Sequence, residues 1–361
     1  MTFTQNLDTV NPLNAYNNNI VKFTEAAALY TVITVTSGSD SYSYSIKPIN
    51  GEFYFDFKDT FKYIVNKDWF SDEFGYNFND IDDLLFKSVS VEYKSYDNSY
   101  QLINTQSFDY FITKSVVQID DYLYVIESFM HFTDINLPYT FDVFEGFPFD
   151  MTFFQKEPQQ MIITTGSNVV TFTFGTNAAK VWRIPLVGLD GSIKQQYAPP
   201  NQLVLQEGVV SVISSNAPYP KIAGTINYHT NCGDGVYLKW LNTQGGWDYW
   251  LFDNKHRVTE KDNSIGRFVS GHDNIDNINS IESNLGQEYD LVKSLAANFL
   301  DKHQFAKVQR IGRSPKVMLW VAHKQKFVEV FAVRKSTFVA NKQEGTVSFD
   351  IELTKRQTQG V

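Results

Sequence analysis

With 361 residues, the chain is long enough for two or three domains, each able to bury a core without disulfide bridges. Aromatic residues make up 16% of the sequence and charged residues 20%, which favours a mainly β fold and excludes an intrinsically disordered chain. The net charge of −9 argues against a basic nucleic-acid binder, and the single cysteine, Cys232, excludes an intrachain disulfide framework. The N-terminus lacks the pattern of a secretory signal, and no apolar run is long enough to span a membrane. We therefore expect a soluble protein.

Charge is distributed unevenly along the chain. Between residues 1 and 157 there are 9 Lys, no Arg and 23 acidic residues, whereas between 281 and 361 there are 13 basic and 8 acidic residues. The acidic part is a poor partner for nucleic acid, and the basic part lacks a concentrated Lys/Arg patch. The gradient would suit head-to-tail contact between identical subunits, although two domains of different charge that meet no neighbour would show it too.

Residues 1–135 are predicted to form an N-terminal β-sandwich-like module. Apolar and polar residues alternate with period two, and the sequence SGSD at 37–40 is typical of a hairpin turn. A short helix is predicted from Asp59 to Val65, with Asp59 as its cap. The predicted strands are 29–36, 42–46, 52–57, 84–93, 100–104 and 108–113.

Residues 136–225 are predicted to form a second β module. Glycines and prolines separate short runs of high β propensity at the interval expected for a sandwich. The runs are 139–144, 150–154, 161–165, 169–174, 179–185 and 209–214.

Residues 226–361 form the third predicted module, which begins with an unusually aromatic stretch. The sequence CGDGVYLKWLNTQGGWDYWLF at 232–252 holds three of the six tryptophans, and its two alternating runs flank NTQGG, as in a β-hairpin. Bulky residues occupy both faces of both runs, so each face must be covered by another element, another domain or another chain. The predicted core or interface anchors are Trp240, Trp247, Tyr249 and Trp250.

The rest of the third module is predicted to be α+β. Residues 253–279 are polar and rich in Asn and Asp, which indicates a loop. Residues 283–304 carry apolar side chains at spacings of three and four, which predicts one amphipathic helix lying across a sheet. Strands are predicted at 317–321, 327–333 and 346–353, and the last alternates polar and apolar residues, so it should have one solvated face.

Catalytic and metal-binding patterns do not rise above background in this sequence. His229 and Cys232 are two ligands, too few for zinc, and a turn is the better interpretation. The acidic run at 273–277 lacks the central Gly and terminal Glu of a calcium loop. Glycines at 188–191 and 245–246 do not lie between a strand and a helix, so they do not predict a phosphate site. We therefore predict no enzymatic activity, no metal site and no cofactor.

Two other functions remain open from composition. A glycosidase would need two facing carboxylates, for which the pairs at 82–83 and 120–121 are candidates. A glycan-binding adhesin is the stronger alternative, because Trp and Tyr beside Asp and Asn stack on sugars, and Trp69, Tyr76, Trp247 or Trp250 could do so. Against it, aromatic residues that alternate along strands are more often core or interface residues.

Three segments carry a resemblance to a known group of proteins: NPLNAYNN near the N-terminus, GEFYFDF in the first module and, above all, YLKWLNTQGGWDYWLF. With the order of elements around them, they resemble virion structural proteins of tailed phages that infect Bacteroidetes. The resemblance implies a tail or baseplate subunit, made in the host cytoplasm and then located in the virion. It implies no catalytic residue.

The leading hypothesis from the sequence is therefore a non-enzymatic structural subunit. The expected partners are other copies of the chain, repeated as a ring around the tail axis, and other tail proteins. A host-surface glycan is a possible further partner, whereas nucleic acid is not expected.

Overall fold

The computed structural model confirms the mainly β fold class, with 61% strand and 9% helix. The residues described are all except 10–11, 69–71, 73, 77–79, 117–138, 156–158, 175–179, 194–204, 215–216, 231, 234, 253–256, 270–281, 331, 341–344, 354–355 and 358–361. They form two compact units. The first comprises Met1–Thr230 and Asn242–Asp248, and the second comprises Asn231–Leu241 and Tyr249–Val361.

The N-terminal part of the first unit is a sandwich of two sheets. Its strands are β1 (Thr2–Gln5), β2 (Leu13–Asn14), β3 (Ile20–Thr24), β4 (Tyr30–Ser37), β5 (Asp40–Ile46), β6 (Phe53–Asp56), β7 (Asp80–Ile81), β8 (Phe86–Tyr96) and β9 (Leu102–Thr113). One sheet has the order β1-β3-β6 and the other the order β2-β9-β8-β4-β5. Within these sheets β2 and β9 pair in parallel, and the other pairs are antiparallel. The antiparallel sandwich predicted from the alternating pattern is present.

The core of this sandwich is aromatic. Phe23 and Phe53 of the three-stranded sheet stack with ring centroids 4.9 Å apart, and Phe23 meets Tyr93 of the five-stranded sheet edge-to-face at 5.6 Å. All three side chains are fully buried. Large rings on alternate strand positions therefore fill the space between the sheets, as the period-two pattern requires.

Helix α1 (Lys58–Asn66) lies beside this core and confirms the short helix predicted after the third strand. Its buried residues are Thr60, Phe61, Ile64 and Val65, so one face packs inward and the other stays in solvent. Asp59 is not its cap, because the helix begins one residue earlier. The backbone N–H of Lys58 instead donates a hydrogen bond to Asp56 Oδ1 at 3.0 Å.

The second part of the first unit contains two more sheets. Its strands are β10 (Tyr139–Phe144), β11 (Phe149–Gln155), β12 (Gln159–Thr165), β13 (Asn168–Phe174), β14 (Lys180–Val187), β15 (Gly208–Ser214) and β16 (Ala217–His229). The sheet orders are β10-β16-β15-β12-β13 and β11-β14-β7. Because β7 comes from the N-terminal part, a strand of one part completes a sheet of the other. The predicted boundary at 135–136 lies outside the described residues, and the three-module division stays a prediction.

The predicted tryptophan-rich hairpin is confirmed as β17 (Val236–Leu241) and β18 (Trp247–Phe252). Asn242 shapes its turn, because Asn242 Oδ1 accepts hydrogen bonds from the backbone N–H groups of Gln244 and Gly246, both at 3.0 Å. Gly245 has a φ of 85°, a conformation that glycine adopts without strain. The NTQGG sequence thus supplies both the side-chain acceptor and the flexible backbone that this turn needs.

Two further sheets are built mainly from residues of the second unit. Its remaining elements are β19 (Arg257–Val269), β20 (Glu282–Leu300), helix α2 (Lys302–Val308), β21 (Val317–Val321), β22 (Lys326–Glu329), β23 (Ala332–Ala340), β24 (Gly345–Glu352) and β25 (Arg356–Gln357). The sheet orders are β18-β17-β21-β22 and β19-β20-β24-β23, with β25 paired to β20. Strand β24 buries Val347, Phe349 and Ile351 at alternate positions, as the alternating pattern predicted. Residues 346, 348 and 350 on the predicted solvated face are partly exposed, but Glu352 on that face is buried.

Two predictions for the second unit are wrong. The loop predicted at 253–279 contains β19, and the amphipathic helix predicted at 283–304 is β20 over most of its length. Strand β20 pairs with β19 on one side and with β24 on the other, so neighbouring strands satisfy its backbone groups. Apolar spacing within one segment carries no information about such partners, which is why the three-and-four pattern was misleading.

The helix that does form, α2, begins where the predicted one was to end. Asp301 Oδ1 accepts a hydrogen bond from the backbone N–H of Gln304 at 2.8 Å, and Gln304 Oε1 accepts one from the backbone N–H of Asp301 at 3.2 Å. This reciprocal pair is a capping box. The D-x-x-Q sequence at 301–304 was the local signal for this helix start.

Candidate functional site

The four predicted hairpin anchors all lie buried within this chain. Trp240 and Trp247 are fully buried, and the relative solvent exposures of Tyr249 and Trp250 are 2% and 6%. The chain itself therefore covers the tryptophan-rich hairpin, and no second copy is needed to hide it. The other bulky residues of the hairpin are buried as well, namely Tyr237, Leu241 and Phe252.

A fully buried arginine, Arg183 on β14, organises part of the first unit. Its guanidinium pairs with Asp150 through two hydrogen bonds, with Nε–Oδ2 and Nη2–Oδ1 distances of 2.9 and 2.7 Å. Its Nη1 contacts the Asp72 carboxylate and, at 3.5 Å, that of Asp82. Three rings surround the guanidinium carbon, with centroid distances of 4.1 Å for Phe74, 5.5 Å for Tyr76 and 5.7 Å for Trp247.

The three carboxylates of this Arg183 cluster outnumber the single arginine charge. Burial raises the pKa of Asp82 above its usual value, while the Arg183 charge acts in the opposite direction. Asp82, one of the carboxylates considered for a glycosidase pair, is thus engaged inside the protein. Because the cluster's side chains are 0–13% exposed and bind one another, the cluster acts in folding rather than in ligand binding.

The second unit contains a buried cation of another kind, Lys239 on β17. Its side chain is 1% exposed, and its Nζ lies 4.1 Å from the centre of the Phe327 ring. Burial lowers the pKa of Lys239 well below its usual value, and nearby Lys316 acts in the same direction. A lowered pKa makes a lysine a better nucleophile, but Lys239 is too deeply buried to reach a substrate.

Within the described part of the chain, an open depression runs along the outward face of α1. Its volume is about 450 Å³. The Tyr63 side chain is 55% exposed there, and its ring meets Tyr42 edge-to-face with centroids 5.5 Å apart. Residues three and four apart on a helix share one face, which explains why a single short helix supplies the lining. The lining residues are Asp59, Lys62, Tyr63, Asn66 and Lys67.

Some of these lining groups are held in place, and others are available to a ligand. Lys67 is ion-paired, and Asn66 Oδ1 accepts a hydrogen bond from the Tyr16 hydroxyl at 3.0 Å. Within the described part of the chain, neither the Asp59 carboxylate nor the Lys62 ammonium forms an ion pair, and Lys62 Nζ lies 5.9 Å from the Tyr16 ring centre. The depression thus offers an acceptor, a donor and an exposed ring on one surface.

The structure places the predicted sugar-stacking residues elsewhere. Tyr76, Trp247 and Trp250 are 1%, 0% and 6% exposed, so none of them can present a ring to a sugar, and Trp69 lies outside the described residues. Sequence reasoning missed Tyr63. The available signal was a tyrosine on the polar face of the predicted short helix, where an aromatic ring has no core to fill.

His229, one of the two residues considered as zinc ligands, has partners on β10. His229 Nε2 lies 3.0 Å from Asp142 Oδ1, and its ring stacks on Phe144 with centroids 4.5 Å apart. Residues 120–121 and 273–277 lie outside the described residues. Across the part of the chain that is described, no group of three His, Cys, Asp or Glu residues is placed to hold a metal ion. The described helices are all too short or too polar to cross a bilayer.

Comparison with known proteins gives no assignment. No family model and no curated protein matches this chain. A structure titled "Structural insight into host cell surface retention of a 1.5-MDa bacterial ice-binding adhesin" is 11% identical with a TM-score of 0.18, covering 81% of this chain and 92% of that one. The plexin A4 extracellular region is 6% identical with a TM-score of 0.18, covering 94% of this chain and 39% of that one. Likeness this weak supports no conclusion about fold or function.

Proposed function

We propose that this chain is a non-enzymatic attachment protein that binds a neutral glycan in the depression along α1. The observation that carries the proposal is Tyr63, a half-exposed ring beside the unpaired Asp59 carboxylate and Lys62 ammonium. The glycan alternative suggested by the aromatic composition is thus favoured over the building-block hypothesis, which had relied on an uncovered tryptophan-rich hairpin.

Each lining group has a role in this proposal. The Tyr63 ring stacks on the apolar face of a pyranose, as aromatic residues at wet, half-apolar surfaces do. Asp59 accepts hydrogen bonds from adjacent sugar hydroxyls, and Lys62 donates to a ring or hydroxyl oxygen. Asp59 and Lys62 cancel in charge, and Lys67 is already ion-paired, so a neutral sugar fits better than an acidic one.

A shallow, open site of this kind binds with a Kd of about 1 mM, and several copies would be needed for firm attachment.

A glycan-array screen followed by titration calorimetry tests the proposal. Tyr63→Ala should abolish measurable binding, because it removes the stacking surface while leaving the buried face of α1 unchanged. Tyr54→Ala is the matched control, since Tyr54 is 43% exposed but does not line the depression. Circular dichroism should show that both variants fold. A Tyr63→Ala protein that binds the selected glycan as tightly as the wild type does would exclude this site.

A virion structural subunit is the second candidate. It is favoured by the division of charge between the two units: the first contains 13 basic and 26 acidic residues, and the second 18 basic and 14 acidic residues. The resemblance of the tryptophan-rich hairpin to tail and baseplate proteins points the same way. Rings seen by electron microscopy of the purified protein would support this candidate, and tail genes adjoining its own would add to it. A monomer at every concentration would count against it.

A further inference from the structure

The tip of the hairpin between β8 and β9 is a rigid turn. Asp97 Oδ1 accepts hydrogen bonds from the backbone N–H groups of Ser99 and Gln101 at 2.8 and 2.9 Å. The backbone N–H of Tyr100 donates to the Asp97 carbonyl at 3.0 Å, and that of Asp97 to the Gln101 carbonyl, also at 3.0 Å. These bonds fix the backbone position of Tyr100 in the turn.

Tyr100 occupies this position against its backbone preference. Its φ is 61°, in the left-handed region where glycine or asparagine sits with little or no strain and a bulky residue does not. Its side chain is 70% exposed, so the strain is not offset by packing in a core. Bulky residues held in such conformations are concentrated at binding sites, where the strain presents a side chain.

Two other tyrosines lie near Tyr100, and two exposed aliphatic residues begin β9 just after it. Tyr30 and Tyr96 stack with centroids 5.0 Å apart, and the Tyr100 ring lies 6.2 Å from Tyr30. Tyr96 is paired in register with both Tyr30 and Leu102, so these side chains lie in one row across β4, β8 and β9. Leu102 and the neighbouring Ile103 are 52% and 38% exposed. We name residues 96–103 with Tyr30 the tyrosine tip.

The charge of the first unit limits the kind of protein that would cover the tyrosine tip. With 13 basic and 26 acidic residues, this unit attracts basic surfaces and repels acidic ones. The second unit carries a net positive charge. A second copy of this chain can therefore offer a surface of the required sign, and no other protein need be invoked.

The second unit has an exposed basic turn between β21 and β22. Residues 322–326, with the sequence AHKQK, are all exposed, and Val328 on β22 is 37% exposed beside them. We name residues 322–328 the basic tip. It combines lysine charge with apolar surface, which complements an acidic unit that presents aromatic rings.

We infer that the tyrosine tip of one copy of this chain docks on the basic tip of a second copy. The contact joins two different surfaces, so it can repeat from copy to copy, and the docking angle determines whether a ring or a filament results. This inference does not depend on glycan binding, and it gives the second functional candidate a specific interface.

Sedimentation velocity of the full chain over an approximately hundredfold range of concentration tests the inference. The wild type should associate, and raising NaCl from about 0.05 M to about 0.5 M should weaken association, because screening shortens the reach of the charges. Tyr100→Gly should weaken association about tenfold or more, since it removes the central ring. Glycine adopts the same φ without strain, so this variant should remain folded.

Two further variants locate the contact. The double variant Lys324→Glu with Lys326→Glu should associate as weakly as Tyr100→Gly, because it reverses the charge of the basic tip. Tyr63→Ala should associate like the wild type, while losing the proposed glycan binding. A wild-type monomer at all concentrations would overturn the inference and the second functional candidate together. Association by Tyr100→Gly at wild-type strength would overturn the inference alone.

Discussion

Arg183 and Lys239 are both fully buried cations, yet the two units stabilise them in opposite ways. Arg183 keeps its charge, because Asp150 pairs with it through two hydrogen bonds and two further carboxylates lie within contact distance. Lys239 lies against an aromatic ring, and burial pushes its pKa well below the usual value. Carboxylates balance the charge of Arg183, whereas burial disfavours the charged form of Lys239 and lowers its pKa.

The difference follows from the chemistry of the two side chains. A guanidinium stays protonated at any ordinary pH and presents a planar fork, so burying it requires carboxylates of matching geometry. An ammonium can lose its proton, so its burial can lower its pKa and does not demand a planar set of carboxylates. The Arg183 cluster should therefore stabilise the fold at neutral pH, and Lys239 should destabilise it.

The largest expected effect comes from Arg183→Leu. It leaves the buried carboxylates without a cation, and unfolding in urea at pH 7 should show a loss of about 3–5 kcal/mol. The deficit should shrink in acid, because the unpaired carboxylates can then be protonated in the folded state. A deficit of equal size at pH 4 and pH 7 would contradict the charge explanation. The control is Lys94→Leu, whose exposed ion pair with Glu92 contributes under about 1 kcal/mol.

Lys239→Met should have a smaller effect of opposite sign. In the unfolded wild-type chain, Lys239 binds a proton as the pH falls below its ordinary pKa of 10.5. In the folded chain, Lys239 binds this proton only at a lower pH, because its pKa is lowered. Stability of the wild type therefore falls as pH falls between these two values. Methionine removes this dependence and should raise the free energy of unfolding at pH 7 by about 1–4 kcal/mol.

Urea unfolding at pH 7 and pH 10 measures the Lys239→Met effect, and the gain should be larger at pH 7. Lys326→Met, which replaces an exposed lysine in the same unit, should change stability little. A destabilised Lys239→Met protein would mean that the contacts of Lys239 in the folded state outweigh the cost of burying its charge.

The smallest effect is expected for Asp82→Asn, which removes one surplus carboxylate from the Arg183 cluster. The folded-state pKa of Asp82 is raised above the usual 3.8, so the wild type loses stability as pH rises from that value through the folded-state pKa. Asparagine cannot ionise and can still accept the hydrogen bond from the Leu84 backbone. A gain of about 1 kcal/mol at pH 7, absent below pH 3.8, is the expected result in urea unfolding.

Local patterns were reliable wherever neighbouring residues determine the structure. The tryptophan-rich hairpin, α1 and the alternating apolar positions of β24 were predicted from alternation, turn composition and helix spacing, and each is present. The failure at β20 shows the limit of such patterns. Its apolar spacing suits a helix, but pairing with β19 and β24 determines its backbone, and those strands lie at other places in the chain.

The candidate site was the least predictable part. Composition left a glycan-binding surface open as an alternative, and the residues named for it were mostly ones that the structure buries. Tyr63 is exposed because α1 uses its opposite face for the core, and Trp247 is buried because it packs near Arg183. Whether an aromatic ring faces solvent depends on what packs against it, and that is not encoded within a few residues of the ring.

The sequence by itself determined the β class, the tryptophan-rich hairpin with its turn, and the uneven charge, because these depend on composition and on residues within one or two turns of each other. Tertiary structure alone decided that the tryptophans are covered by their own chain and that Arg183 meets three distant carboxylates. It also decided that Tyr63 and Tyr100 are among the rings left in solvent. Burial and ion pairing join residues far apart in the chain, and only the folded backbone brings them within contact distance.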